Sequence, residues 1–129
     1  MKTILIVDDD PGIRRFVARV LRGVGLTVLT ASSAREAVSI IESASHQIHL
    51  VVTDMVMPGT SGLDLGCELQ QRYPCMKVLY MSGYRDSIAM VAISKRSPEH
   101  ALLKPFSRDA LLASVLRLLA KQACGGHHI

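Results

Sequence analysis

The sequence predicts one α/β domain built on a parallel sheet with helices on both faces. Apolar runs of strand length alternate five times with segments whose apolar residues recur at helical spacing. This alternation is typical of parallel sheets, because each crossover helix returns the chain to the same edge of the sheet. The strand runs show no apolar and polar alternation, which indicates that both faces of the sheet are covered. A chain of 129 residues can bury a substantial core.

Five strands are predicted from apolar runs bounded by polar or turn-forming residues. In chain order they cover residues 4–7, 26–30, 50–53, 78–81 and 101–103. Each run is far shorter than the roughly 20 apolar residues that a membrane-spanning helix requires. We therefore expect a chain that does not enter a membrane by itself.

The first three helices are predicted from apolar spacing and from their end signals. The first begins at Pro11, which suits an initial helical turn, and ends near Gly25. Ser33 and Glu36 have the spacing of a capping box, which predicts the start of the second helix. The third covers residues 63–72 and stops before a proline.

The last two helices differ in the strength of their signal. A short apolar segment at residues 88–93 predicts the fourth helix, and Ser107 is the expected N-cap of the fifth. The core-facing residues predicted on the fifth helix are Leu112, Val115, Leu116 and Leu119. Leu111 and Leu118 form a second stripe, which fits a core position better than a partner contact. Residues 1–122 are thus the expected domain, and residues 123–129 a flexible C-terminal tail.

The net charge of +4 invites a nucleic-acid interpretation, but its distribution argues against one. Arg15, Arg19 and Arg22 follow one helical stripe, which is typical of the solvated face of an amphipathic helix. No aromatic residues are interleaved with these arginines, as binding to single strands would favour. Direct binding of nucleic acid is not expected.

The cysteines predict neither a zinc site nor a disulfide framework. Cys67, Cys75 and Cys124 are widely spaced and contain no C-x-x-C pair. Reduced thiols fit an intracellular compartment. With no recognisable signal peptide, a cytoplasmic location is expected.

Polar residues follow four of the five predicted strands. Asp8, Asp9 and Asp10 follow the first, Asp54 the third, Ser82 the fourth and Lys104 the fifth. Ligands of open α/β sheets bind outside the carboxyl ends of the strands, which is the rim that these residues would share. Adjacent carboxylates repel one another unless a cation intervenes, and Mg²⁺ prefers such oxygen ligands. We assign the third of the consecutive aspartates to helix capping and the other two to a metal site.

Asp54 and Lys104 complete a set of groups suited to phosphoryl transfer. A carboxylate can attack phosphorus and form an aspartyl phosphate. The reaction depends mainly on positioning and on neutralising the charge that develops on the phosphoryl group. A metal ion on one side and the ammonium group of Lys104 on the other would supply that neutralisation.

The ordered motifs resemble the response-regulator receiver domain of two-component signalling, over roughly residues 2–122. The motifs are Asp8-Asp9, Asp54 with Met57-Pro58-Gly59 and Gly62, Ser82-Gly83, and Lys104-Pro105-Phe106. The resemblance implies a flavodoxin-like fold with strand order 2-1-3-4-5. The first and third strands are then neighbours, about 4.8 Å apart. Receivers attached to hybrid sensor histidine kinases are the most similar group.

The resemblance also assigns roles to individual residues. Asp54 would accept the phosphoryl group, and Mg²⁺ would be held by Asp8, Asp9, Asp54 and the main-chain carbonyl of Val56. Ser82 and Lys104 would each contact a phosphoryl oxygen, and the Lys104–Pro105 bond would be cis. The phosphodonor would be a sensor histidine kinase or a histidine phosphotransfer protein. Whether phosphorylation also drives homodimer formation is left open.

One position departs from the family pattern. Receivers commonly carry an aromatic residue three positions before the lysine, where this chain has Ala101. The ring movement usual in the family is therefore not expected. Backbone movement after Ser82, or a movement of Tyr84 or His100, would have to transmit the signal.

Two other functions are compatible with parts of the pattern. Asp8-Asp9-Asp10 has the D-x-D form of haloacid-dehalogenase-like phosphatases, but Gly12 stands where those enzymes have threonine or valine, and no later acidic pair follows. A receiver-like interaction module that never carries phosphate is the other alternative. The complete acidic and basic set argues against it. A signalling switch, rather than a turnover enzyme, is the expected function.

Overall fold

The computed structural model of this chain describes residues 2–44, 48–83 and 98–121, and five parallel strands form one sheet in that part. The strands are β1 (Thr3–Val7), β2 (Thr27–Ala31), β3 (Leu50–Asp54), β4 (Lys77–Ser82) and β5 (Ala101–Leu103). Their order is β2-β1-β3-β4-β5, and every neighbouring pair is parallel. The predicted fold class and strand order are confirmed.

Four α-helices are present in the described ranges, against five predicted. They are α1 (Pro11–Gly23), α2 (Ala34–Ala44), α3 (Gly62–Arg72) and α4 (Arg108–Ala120). The helix predicted at residues 88–93 lies outside the described residues. A short 3-10 turn, Pro98–His100, precedes β5.

The sheet is covered on both faces, as the lack of alternation in the strands predicts. Ile4 and Ile6 of β1 belong to the core that also contains residues of α1 and α4. Leu5 and Val7 belong to the core formed with α2 and α3. All four side chains are fully buried, which requires an uninterrupted apolar strand.

The helix predicted as the fifth is α4, and its buried face differs in part from the prediction. Leu111, Val115 and Leu118 are fully buried, whereas Leu116 is 48% exposed. The buried residues follow i, i+4, i+7 spacing, so they share one face, and Leu116 lies one residue beyond it. Leu116 was therefore wrongly predicted as core, and the interpretation of Leu111 and Leu118 as core is confirmed.

The start of α2 uses the predicted serine but not the full capping box. Ser33 Oγ accepts a hydrogen bond from the Glu36 amide at 3.1 Å. The Glu36 carboxylate bonds to the amide and hydroxyl of Ser32 instead, at 2.8 and 2.9 Å. These bonds, led by that from the Ser32 amide, lower the pKa of Glu36.

The prediction of reduced thiols is wrong for Cys75, which is disulfide-bonded, while Cys67 is a free, exposed thiol. Cys75 lies in the exposed segment between α3 and β4. Disulfide pairing depends on proximity in the fold, which sequence spacing does not reveal.

Among the described residues, no helix combines the length and apolar character needed to span a bilayer.

Candidate metal and phosphoryl site

The carboxyl ends of β1 and β3 bring three aspartates together. These strands are neighbours, with Val7 opposite Thr53, so the residues that follow them meet at one rim. Carboxylate oxygens of Asp8, Asp9 and Asp54 lie within 4.8 Å of one another. Asp8 is fully buried and Asp54 nearly so, whereas Asp9 is exposed. One side of the cluster therefore faces the protein and the other faces solvent.

Lys104 bridges the two buried carboxylates from the end of β5. Its Nζ lies 3.1 Å from Asp8 Oδ2 and 3.4 Å from Asp54 Oδ1. The ammonium group is largely shielded, with 19% of the side chain exposed. The lysine thus lies within reach of any group attached to Asp54.

Asp8 is fixed from three directions. Its Oδ1 accepts a hydrogen bond from the Asp10 amide at 2.9 Å, and its Oδ2 accepts one from Lys104. Its carbonyl accepts one from Arg14 Nη1 at 2.7 Å. Arg14 was not among the residues predicted for this site; its signal in the sequence is a basic residue one turn into the helix that follows the acids.

The electrostatics of the site favour an additional positive charge. Burial raises the pKa of Asp54; the charge of Lys104 lowers it, and that of Asp8 raises it again, leaving a net increase. Burial favours the neutral amine of Lys104, but Asp8 and Asp54 outweigh it and raise the pKa of the lysine. Three carboxylates face one ammonium group, so the cluster retains unbalanced negative charge.

The loop after β3 is held closely against Asp54. Gly62 donates from its amide to the Met55 carbonyl at 2.9 Å. A Cβ at Gly62 would lie only 1.7 Å from the Asp54 carbonyl oxygen. The Val56 amide donates to the Asp54 carboxylate, which lowers the pKa of that group and partly offsets burial. The part predicted for the Val56 carbonyl as a ligand stays a prediction.

Ser82 and Lys104 are linked through the backbone. Ser82 is buried at the end of β4, and its carbonyl accepts a hydrogen bond from the Lys104 amide at 2.7 Å. The Lys104–Pro105 bond is cis, as the resemblance implies. Ser82 therefore lies at the same rim as the acids, with its backbone connected to the lysine.

Asp10 and Ala101 have structural positions that agree with their interpretation. Asp10 is the N-cap of α1, and its Oδ1 accepts hydrogen bonds from the amides of Gly12 and Ile13 at 2.8 and 3.4 Å.

Ala101 is the first residue of β5 and lies opposite Tyr80. His100 Nδ1 lies 2.6 Å from the Val78 carbonyl, so that nitrogen carries the proton. Tyr84 lies outside the described residues.

An apolar surface adjoins the site. Phe16 of α1 and Phe106 after β5 have ring centroids 6.3 Å apart. With Ile13 and Pro105 they line a cavity of about 330 Å³ that extends to Lys104. Phe16 is 38% exposed, so a partner approaching the acids from this side would meet a hydrophobic surface.

The residues present fit a divalent metal ion. The ligand atoms are hard oxygens, they converge, and the ion's charge would offset the repulsion that contributes to the raised pKa of Asp54. The exposed position of Asp9 leaves room for water ligands, which Mg²⁺ retains.

Part of two curated proteins is similar in sequence to this chain. The chain is 36% identical over 124 residues to the sensor kinase CckA of Brucella abortus, covering 93% of this chain and 13% of that protein. It is 32% identical over 117 residues to the transcriptional regulator NtrC of Salmonella typhimurium, covering 91% of this chain and 24% of that protein. The chain thus spans a quarter or less of the length of these relatives.

Solved structures share the fold over most of this chain. A response regulator receiver domain protein from Clostridium thermocellum superposes with a TM-score of 0.83 at 30% identity, covering 92% of this chain and 94% of that one. The chemotaxis protein CheY4 of Vibrio cholerae gives 0.79 at 26% identity, covering 92% and 98%. The family model "Response regulator receiver domain" matches residues 4–116. The chain belongs to the response-regulator receiver domains of two-component signalling.

Proposed function

We propose that Asp54 accepts a phosphoryl group from a phosphohistidine donor and that the change acts as a reversible signal. The observation that carries this proposal is the double ion pair of Lys104 with Asp8 and Asp54, at 3.1 and 3.4 Å. It leaves a nucleophile and a charge-neutralising group side by side at the carboxyl edge of the sheet. No turnover of a small substrate is part of the proposal.

The transfer replaces one bond to phosphorus by another. An oxygen of the Asp54 carboxylate attacks phosphorus, the P–N bond to the donor histidine breaks, and its electron pair stays on the imidazole. Burial makes Asp54 more basic than an exposed aspartate, and Lys104 favours its ionised form. The ammonium group can then move from the carboxylate to a phosphoryl oxygen.

Mg²⁺ is the cofactor that we propose for this site. Asp8, Asp9, Asp54 and the Val56 carbonyl would hold it, in agreement with the cluster of three carboxylates. When bound, the ion supplies positive charge that stabilises the phosphoryl oxygens. Arg14 and the Asp10 amide keep Asp8 in place for this role.

The donor would be a sensor histidine kinase or a histidine phosphotransfer protein. We place its contact on the apolar surface of Phe16 and Phe106, because this surface is exposed and continues to Lys104. A donor helix with an apolar face could cover the surface and present its histidine to Asp54. The 36% identity to part of a sensor kinase supports this class of partner.

The response would begin at Ser82. A phosphoryl group adds roughly −1.5 to −2 charge and strong acceptor oxygens. It would attract the Ser82 hydroxyl, and the 2.7 Å bond between Ser82 and Lys104 would pass the displacement to β5. Because Ala101 offers no ring to move, we expect the change to be carried by the backbone.

The test is phosphorylation by acetyl phosphate, followed by intact mass measurement. Wild type should gain one phosphoryl group with Mg²⁺ and none in chelator, and Asp54→Asn should gain none under either condition. Asp109→Asn removes a carboxylate whose side chain is 95% exposed on α4, and it should behave as wild type. A wild type that gains no mass would instead act as a phosphate-independent module, and the proposal would be wrong.

A further inference from the structure

Another cavity lies at the opposite edge of the sheet, where β1, β3 and β4 begin. Its volume is about 460 Å³, within the range of small-molecule sites. Lys2, His49 and Lys77 line it. Asp8 follows Lys2 by six residue steps along the extended chain of β1, so the cavity lies on the order of 20 Å from the acidic cluster. The proposed phosphotransfer makes no use of it.

Backbone hydrogen bonds fix the three basic residues at neighbouring strand starts. The Lys2 carbonyl accepts from the Thr27 amide at 3.0 Å, and the His49 amide donates to the Thr3 carbonyl at 2.9 Å. The His49 carbonyl accepts from the Lys77 amide at 3.2 Å. The backbone at this edge is therefore ordered before any ligand arrives.

The tautomer of His49 is set by its surroundings. The Thr3 amide donates to His49 Nδ1 at 3.0 Å, so this nitrogen is unprotonated and the ring proton is on Nε2. Burial, followed by the charge of Lys2 and then that of Lys77, lowers the pKa of His49. The ring is thus a neutral N–H donor beside two ammonium groups.

Positive charge in this cavity is only partly balanced. Arg72, also in the lining, forms ion pairs with two glutamates at 3.2 and 3.3 Å, and Lys121 with one at 2.9 Å. Lys2 and Lys77 form no ion pair within residues 2–44, 48–83 and 98–121. Lys2 and Lys77 therefore line one space, and neither has an acidic partner in the described part of the chain.

Several other described residues of the lining are apolar or aromatic. Tyr73, Met76 and Leu119 contribute to it, and the guanidinium of Arg72 lies 5.3 Å from the Tyr73 ring centroid. A ligand held here would contact hydrophobic surface as well as charge. A bare inorganic ion would leave this surface uncovered.

We propose that this cavity binds a small molecule that carries a phosphate group and a compact organic part. A phosphate monoester has about two negative charges, which matches the two lysines, and its oxygens can accept from the ammonium groups and His49 Nε2. The organic part would lie against Tyr73, Met76 and Leu119. The cavity is a binding site separate from Asp54.

The test is a titration monitored by the amide NMR signals of Thr3, His49 and Lys77, in chelator so that no Mg²⁺ contributes. AMP should cause saturable shifts, and adenosine, which lacks the phosphate, should cause none. Lys2→Gln/Lys77→Gln should weaken AMP binding about tenfold or more, because two charge-assisted hydrogen bonds are lost. Lys2→Gln alone, at an exposed position, should weaken it by about threefold and guards against a folding defect in the double variant.

Two controls separate this site from general electrostatics and from phosphorylation. Arg15→Gln/Arg19→Gln removes the same charge from the exposed face of α1 and should leave the AMP affinity unchanged. Asp54→Asn should bind AMP as wild type does, so this proposal can fail or hold independently of the phosphoacceptor assignment. The proposal is overturned if AMP gives no saturable shift, or if the arginine variant loses as much affinity as the lysine variant. Binding of pyrophosphate without binding of AMP would likewise overturn it, because the apolar wall would then have no role.

Discussion

Gly62 has no side chain, and this allows the loop after β3 to approach Asp54 closely. A Cβ there would meet the Asp54 carbonyl oxygen at 1.7 Å and its carbonyl carbon at 2.7 Å. These are backbone atoms of a central strand, so they have little freedom to move. The close approach therefore fixes both the loop and the position of the acceptor carboxylate.

We predict that Gly62→Ala lowers the free energy of unfolding by about 1–3 kcal/mol or more, as overpacking does. It should also slow phosphorylation by acetyl phosphate, because Asp54 shifts away from Lys104. Urea unfolding and intact mass measure the two effects. Gly23→Ala is the matched control: nothing lies within 4 Å of its added Cβ, and stability should stay equal or rise slightly. Equal behaviour of the two variants would contradict this account of Gly62.

Tyr80 is a buried phenol whose ionisation opposes folding. Burial, and to a smaller extent Cys67, raises its pKa to about 12. The unfolded chain releases this proton near pH 10. The contribution of the neutral Tyr80 phenol to stability is therefore fully present below about pH 10 and is lost as pH rises toward 12. The predicted loss is on the order of 2–3 kcal/mol. Urea unfolding between about pH 9 and pH 11.5 should show a smaller decrease in the free energy of unfolding for Tyr80→Phe than for wild type. Equal decreases in the two proteins would contradict the prediction.

Helix α1 offers a test of which aspartates bind metal and which caps the helix. Asp10 bonds two amides of the first turn, whereas Asp9 contributes to the carboxylate cluster. Asparagine caps helices about as well as aspartate. Asp10→Asn should therefore keep both stability and Mg²⁺ affinity, and Asp10→Ala should lose about 1 kcal/mol of stability. Asp9→Asn should keep stability but weaken Mg²⁺ binding, measured by titration calorimetry. A larger loss of Mg²⁺ affinity in Asp10→Asn than in Asp9→Asn would reverse the assignment.

Local signals predicted the elements well where one residue decides the outcome. Asp10, Ser33 and Ser107 cap helices as expected, because capping depends on neighbours within three positions. Packing against distant elements was harder to predict. Leu116 has the same hydrophobicity as Leu111, and only the position of α4 on the sheet decides that one is exposed and the other buried. The disulfide of Cys75 likewise depends on tertiary proximity.

At the scale of the whole molecule, the alternation of elements predicts a parallel sheet but not the order of its strands. That order came from the ordered set of motifs, and it is what makes β1 and β3 neighbours. The residue types at the strand ends then identify the acids and the lysine. Contacts such as Arg14 with the Asp8 carbonyl depend on side-chain geometry, which spacing does not specify.

The acidic cluster joins two strands that are far apart in sequence, so metal binding should stabilise the whole domain. A ligand that binds only the folded state adds about 2.7 kcal/mol at 100 times its Kd. For a chain of this size, we predict that saturating Mg²⁺ raises Tm on the order of 8 °C. Thermal unfolding with and without chelator measures the shift, and Asp9→Asn should reduce it because one ligand is lost. If wild type and Asp9→Asn gained equal stability from Mg²⁺, the ion would be acting elsewhere on the protein, and the cluster of Asp8, Asp9 and Asp54 would not be its site.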